Sequence, residues 1–227
     1  MNLYKFIRKI NKMKHSIISI CFIALTISFA DAQIVRTYGF NIGYVHAKQN
    51  WDYSPQLGFD PHMSGTISGI GGGAFVEFLD IPYFSLLTKV QYIQKGRTIT
   101  VMETMVSSTN PNGYVDIGMA DIKYRLNYIS VPILAKLRIE TPICVPYLAI
   151  GPRFEYLISY PSNVVYDEFK KMEVTGTVAV GMEFSLGFIP KFLLEADYNT
   201  SLTNSFNNGS LIVSDNSVEV LCGIFLK

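Results

Sequence analysis

The sequence predicts an all-β fold, an eight-stranded antiparallel up-and-down transmembrane β-barrel. Three observations lead there. Charges recur at every second position through otherwise apolar stretches, as in YISVPILAKLRIETPICVPYLAIGPRFEY at 128–156. A period of two belongs to a strand, whose side chains point alternately to opposite faces. The chain is 49% hydrophobic and only 16% charged, below the roughly 25% charge usual for soluble domains. Yet past the N-terminus it has no run of about 20 apolar residues to form a spanning helix. Connections alternate between tight, proline-containing links and longer polar ones, the layout of an outer-membrane barrel.

Residues 1–32 read as a secretory signal peptide, removed after Ala32, which leaves 33–227 as one barrel domain. Lys5, Arg8, Lys9, Lys12 and Lys14 precede the apolar SIISICFIALTISF, and Ala30-Asp31-Ala32 supplies a small-residue cleavage site. The whole chain has 19 basic and 18 acidic residues. The leader takes five basic residues and one acidic, so 14 and 17 remain and the mature net charge is −3. That balance offers no basic stripe for nucleic acid. Cys144 and Cys222, in different strand contexts, do not form a disulfide framework.

Eight segments then carry strand character: 34–47, 65–79, 83–103, 121–140, 145–160, 171–186, 191–203 and 216–227. Tight links lie at 79–82, 140–144 and 187–190, each with a proline, which fixes φ and lacks a donor. Long polar links lie at 48–64, 104–120, 161–170 and 204–215. Both termini therefore fall at the short-turn, periplasmic end, and the long loops fall outside.

Alternation sorts the faces. In the third segment Ser85, Lys89, Gln91, Lys95 and Arg97 oppose Phe84, Leu86, Val90 and Tyr92. In the fifth, Tyr147, Ala149, Gly151, Arg153 and Glu155 oppose Leu148, Ile150, Phe154 and Tyr156. The sixth sets Thr175, Thr177, Ala179, Gly181 and Glu183 against Val174, Val178, Val180 and Met182. The seventh and eighth place Glu195, Asp197, Asn199 and Glu219 on the polar face. The fourth changes phase: Asp121, Lys123, Arg125 and Asn127 are odd-numbered, whereas Ser130, Lys136 and Arg138 are even. A one-residue slip at 127–129, supplied by a β-bulge, would put all of them on one face.

A soluble barrel with its apolar face inward shows the same alternation. The polar face, however, is rich in Gly, Ala, Ser and Thr, which suits a narrow filled interior. Its charges have both signs: Lys89, Arg125, Lys136 and Arg153 against Glu77, Glu155, Glu183, Glu195, Asp197 and Glu219. The apolar face holds Tyr38, Phe40, Tyr44, Tyr92, Tyr124, Tyr128, Phe154, Tyr156, Phe184 and Tyr198, as aromatic girdles would. The charges are therefore expected to line the lumen as a structural ion-pair network, with the apolar residues against lipid.

On YISVPILAKLRI with its proline turn, and PYLAIGPRFEYLIS with its Gly151-Pro152 pair, the mature chain resembles the PorT-like outer-membrane β-barrel family of Bacteroidota. The resemblance implies a barrel in the cell outer membrane, with porin-like members and a namesake that assists a secretion and gliding apparatus.

Catalytic signals are weak. The mature chain has His46 and His62, with Ser54, Ser64, Asp52 and Asp60 nearby, but no nucleophile motif. Glu195 and Asp197 could act as acid and base, but ion pairing with the inward cations accounts for them. Asn204, Asn207, Asn208 and Asp215 lack the spacing of a calcium loop. IGGGAF at 70–75 lies inside a strand with no following helix, so it is no phosphate loop. No catalytic residue, metal or cofactor is expected. The leading expectation is a non-enzymatic barrel with a filled lumen that binds a partner through its loops or rim. The alternatives are a narrow channel for small solutes and a lipid-modifying enzyme.

Overall fold

The computed structural model describes residues 35–53, 64–106, 113–161, 168–187 and 190–226. The expected leader and its cleavage site lie outside the described residues, as do Ser54, Asp60 and His62. Eight long strands form the wall: β1 Val35–Tyr53, β2 Ile67–Ile81, β3 Phe84–Val106, β4 Tyr114–Arg138, β5 Cys144–Ser159, β6 Met172–Phe184, β7 Phe192–Ser201 and β8 Leu211–Phe225. Each pairs antiparallel with the next, and β8 returns to β1 from Gly39↔Phe225 to Tyr53↔Leu211. The ring is closed. Two short segments, Ser64–Gly65 against β3 and Phe206–Asn207 against β8, add to its rim.

Closure satisfies the backbone donors and acceptors of the wall, the condition for crossing a bilayer with strands. No helix among the described residues is long and apolar enough to cross a membrane. Outward residues from Ile129 in β4 to Ile139 just past its end are ten residue steps apart. At a strand rise of about 3.3 Å and a tilt of about 40° they make an apolar band roughly 25 Å tall. Tyr44, Phe154, Tyr156 and Tyr198 are exposed on the outer face, as expected for girdle aromatics.

The strands run further than the sequence suggested at the loop end. Residues 48–53, 104–106, 114–120 and 211–215, expected in loops, continue the ladders. An antiparallel ladder can extend into water without the alternation that lipid demands, so the polar composition there misleads. The turn ends agree more closely. Leu79 and Tyr83 adopt φ of 64° and 65° around Pro82, and the Thr141 hydroxyl bonds the Cys144 carbonyl in the second turn.

The fourth strand departs from expectation. Its inward residues are even-numbered throughout, from Tyr124 through Leu126, Tyr128 and Ser130 to Lys136 and Arg138. A register shift does occur there, since Asn127 pairs with Ser159 but Tyr128 with Leu157. The extra residue is Ile158 of β5, so β4 itself never changes face. Arg125 is therefore on the outer surface rather than in the lumen, in water beyond the apolar band. Tyr124 and Tyr128 correspondingly point inward, and Tyr128 is fully buried. They are not girdle residues.

The long loops and short turns set an orientation that labelling can read. In a Cys222→Ser background, Ser210→Cys should react with an impermeant maleimide on intact cells. Native Cys144, in a tight turn, should react only once the outer membrane is breached. Labelling of Cys144 on intact cells would invert the orientation.

Candidate functional site: the lumen and its loop-end lid

Eight strands leave an interior just wide enough for side chains, and inward charges from facing walls meet across it. Nine of the ten expected lumen residues are buried: Glu77, Lys89, Lys136, Arg153, Glu155, Glu183, Glu195, Asp197 and Glu219. Arg125 is the exception.

At the turn end Glu77 is the hub. It accepts from Arg36 Nη1 at 2.6 Å, Ser85 Oγ at 2.6 Å, Lys136 Nζ at 2.8 Å and Arg138 Nη1 at 3.2 Å. Lys136 also bonds Glu183, which Lys191 reaches from the rim. One level up, Lys89 donates to Glu195 and, at 3.1 Å, to Asp197, while the Tyr147 hydroxyl donates to Glu195 at 2.7 Å. Gly181 makes room for that tyrosine, because a Cβ there would fall within the Tyr147 ring.

The middle tier is built on Arg153, fully buried. Its guanidinium grips Glu219 through Nη1 at 2.6 Å and Nη2 at 3.1 Å, the fork that suits a carboxylate. Its Nε donates to Ser130, and Nη2 reaches Gln91 at 3.3 Å. Asn199 donates to Glu219 at 3.0 Å and accepts from Thr177 at 2.7 Å. Above it Lys95 holds both oxygens of Glu155 at 2.7 and 2.8 Å. Glu173 lies directly opposite Glu155 in the ladder and accepts from the Tyr128 hydroxyl at 3.3 Å. Asp215 accepts from Ser205 at 2.6 Å.

Apolar layers close the stack. Phe75, Leu87, Leu134, Leu193 and Phe225 pack together in the turn half, with Phe75 and Phe225 edge to face at 5.1 Å. At the loop end Trp51, Phe169 and Phe206 form a lid over Ile93, Leu126, Tyr128, Leu157 and Val213. Backbone bonds fold the lid segments in, with Lys170 N on Ser205 O at 2.9 Å and Ser205 N on Val213 O at 2.9 Å. The Arg97 guanidinium stacks on Trp51 at 3.4 Å. A cavity of about 10 Å³ lies in the turn half beside Asn41, Lys89, Tyr147 and Glu195, room for about one water.

Lys95, Arg138, Glu173 and Asp215 belong to the network although the expected set omits them. Parity alone assigns Lys95 and Glu173 inward. Asp215 needed β8 to begin five residues earlier than expected. The lid has no linear signature, because three separate segments supply its rings.

Elsewhere the chemistry is sparse. His46 lies on the outer face, against the Tyr44 ring and opposite Ser68 and Val218 rather than a carboxylate. Among the described residues no group of three or more His, Cys, Asp or Glu is arranged to hold a metal ion.

A family model described as "Outer membrane protein beta-barrel domain" matches residues 29–207. The chain belongs to this outer-membrane β-barrel family. The match and the closed ring together make it an outer-membrane protein. No curated protein matches the chain. Among solved structures it is similar to Ail, the attachment invasion locus protein of Yersinia pestis, crystallised with the heparin analogue sucrose octasulfate. That likeness is at 13% identity and a TM-score of 0.43, over 83% of this chain and 97% of that one. It is also similar to Neisserial surface protein A, at 13% identity and a TM-score of 0.40, over 82% and 96%.

The Arg153 tier gives a direct prediction. Arg153→Ala removes the cation that grips Glu219 in a dry interior, where breaking a buried pair costs about 3–5 kcal/mol. Urea unfolding in detergent should show the midpoint fall accordingly. Arg153→Ala combined with Glu219→Gln should cost less than the sum of the two single changes, and strict additivity would mean that the two do not act as a pair.

Proposed function

We propose that this outer-membrane barrel is a non-enzymatic, partner-binding protein whose lumen is a structural plug and whose loop end faces outward. The observation that carries this reading is the tiered interior. Buried ion pairs, an aromatic lid and a cavity sized for one water leave the wall as a scaffold for its loops and rims. In this reading residues 1–32 are removed on export, and the lumen carboxylates serve packing rather than acid–base chemistry. The resemblance to the PorT-like family supports a secretion-accessory role, in which a rigid barrel anchors other envelope components.

Two measurements test it. The purified protein in a planar bilayer should show little or no steady conductance; stable, large conductance would replace the plug with the narrow-channel alternative. A photo-crosslinking residue at Ser210 or Glu168, both exposed at the loop end, should capture a discrete protein on living cells. A site on the exposed lipid-facing residue Val180 should not. Equal yields from all three would remove the loop end as the binding surface.

A further inference from the structure

The outer face of β4 changes character at the top of the apolar band. Ile129 closes the band, and the next outward residues on the same face are Asn127, Arg125 and Lys123, with both cations exposed. Across the ladder with β3, Tyr92 pairs with Ile129, Gln94 with Asn127, Gly96 with Arg125 and Thr98 with Lys123. Gly96 has no side chain, so none stands directly opposite Arg125.

Beneath the cations lies a hydrogen-bonded triad. The Tyr92 hydroxyl donates to Asn127 Oδ1 at 2.8 Å, and Gln94 Nε2 donates to that hydroxyl at 3.0 Å and to the same Oδ1 at 3.3 Å. Gln94 Oε1 accepts from Ile70 N at 3.4 Å. These bonds to Asn127 use its Oδ1, which leaves the Nδ2 protons for an acceptor from outside. Amides are costly in hydrocarbon and Tyr favours the membrane boundary, so the triad marks where acyl chains give way to headgroups. At about 2.5 Å of height per residue, Asn127 stands about 5 Å and Arg125 about 10 Å above Ile129. The headgroup zone extends roughly 5–8 Å beyond the hydrocarbon, within reach of long basic side chains that bend towards the interface. Asp121, farther from the lipid on this face, accepts from Thr100 Oγ1 at 2.7 Å.

From this we propose that the outer face of β3 and β4, through Lys123, Arg125 and Asn127, binds the headgroup of a phosphorylated glycolipid of the outer leaflet. Arg125 and Lys123 hold a phosphate, the first as a planar fork and the second as a point charge. Asn127, fixed by Tyr92 and Gln94, donates to a sugar or amide-linked oxygen of the same headgroup. The acyl chains then run down the wall over Ile129, Val131 and Ile133, outward residues of the apolar band. Charge sign, height above the band and the amide donor all point to the same occupant. The proposal goes beyond the partner-binding reading and takes from it only that the loop end faces outward.

The test incubates the full barrel, in mild non-ionic detergent, with equimolar bisphosphorylated lipid A and phosphatidylglycerol, and counts bound lipids by native mass spectrometry. The expected result is retention of lipid A in preference to phosphatidylglycerol. The K123Q/R125Q double variant should retain at least about tenfold less lipid A, the loss of two charge-assisted contacts. Lys48→Gln, an exposed cation on β1, should retain as much as the wild type. Asn127→Ala should bind both lipids and lose the preference between them. Equal retention of dephosphorylated lipid A by the wild type would reduce the contact to acyl chains and overturn the proposal, whether or not any variant folds. Equal retention of phosphatidylglycerol would make the face a belt for any acidic lipid, and displacement by millimolar inorganic phosphate would make it a free-anion site. Either result overturns the glycolipid. Equal loss in Lys48→Gln would mean diffuse charge and overturn the β4 site. The measurement needs no protein partner, so its failure leaves the partner-binding reading standing. Labelling of Cys144 on intact cells would turn the face to the inner leaflet and overturn the occupant even if lipid A binds.

Discussion

A ring of eight strands has almost no interior to spare, and its inward positions must fill that space with side chains that satisfy one another. Here many of those side chains are charged. An isolated charge in a dry interior is expensive, and removing one partner of a buried pair leaves such a charge behind. The pairing of Glu77 with Lys136 and Arg138, Lys89 with Glu195 and Asp197, Arg153 with Glu219, and Lys95 with Glu155 is therefore the constraint on which the barrel depends. Each pair joins distant parts of the chain, so it fixes the circumference as well as filling the centre.

The same arrangement divides the molecule by function. The wall must alternate, because a charge turned towards the bilayer midplane costs roughly 2–4 kcal/mol. The lumen must be neutralised tier by tier. The rims have neither obligation, and there the chain departs from pattern: strands outrun the band, an aromatic lid folds inward, and β4 carries the exposed Met119 beside the exposed cations Lys123 and Arg125.

How much of this was legible depended on which constraint spoke at each residue. Parity through Ser85–Arg97 and Tyr147–Glu155 announces both the strand and its inward face, because lipid on one side and a packed lumen on the other leave no freedom. Arg125 misled because it resembles its lumen neighbours in type but lies past the band, where an outward charge is solvated. The slip inferred for β4 exists, but Ile158 of β5 absorbs it, and no pattern within a single strand says which partner bulges. The matching of Lys89 to Glu195 rather than to another carboxylate was likewise unreadable, since it follows from ring closure and strand stagger. The lid of Trp51, Phe169 and Phe206 required loops to fold back over the mouth, a tertiary event without local periodicity.

The central claim is that the lumen lysines sit in a dry interior, each paired with a carboxylate. Nitrogen-detected NMR of the barrel in nanodiscs, with lysine labelled at Nζ, tests it directly at neutral pH. The account predicts separate, slowly exchanging ammonium signals for Lys89, Lys95 and Lys136, each lost on replacement of that lysine by methionine. Ammonium protons on all three that exchange with bulk water as fast as those of the exposed Lys48 would contradict it, and would mean a hydrated lumen.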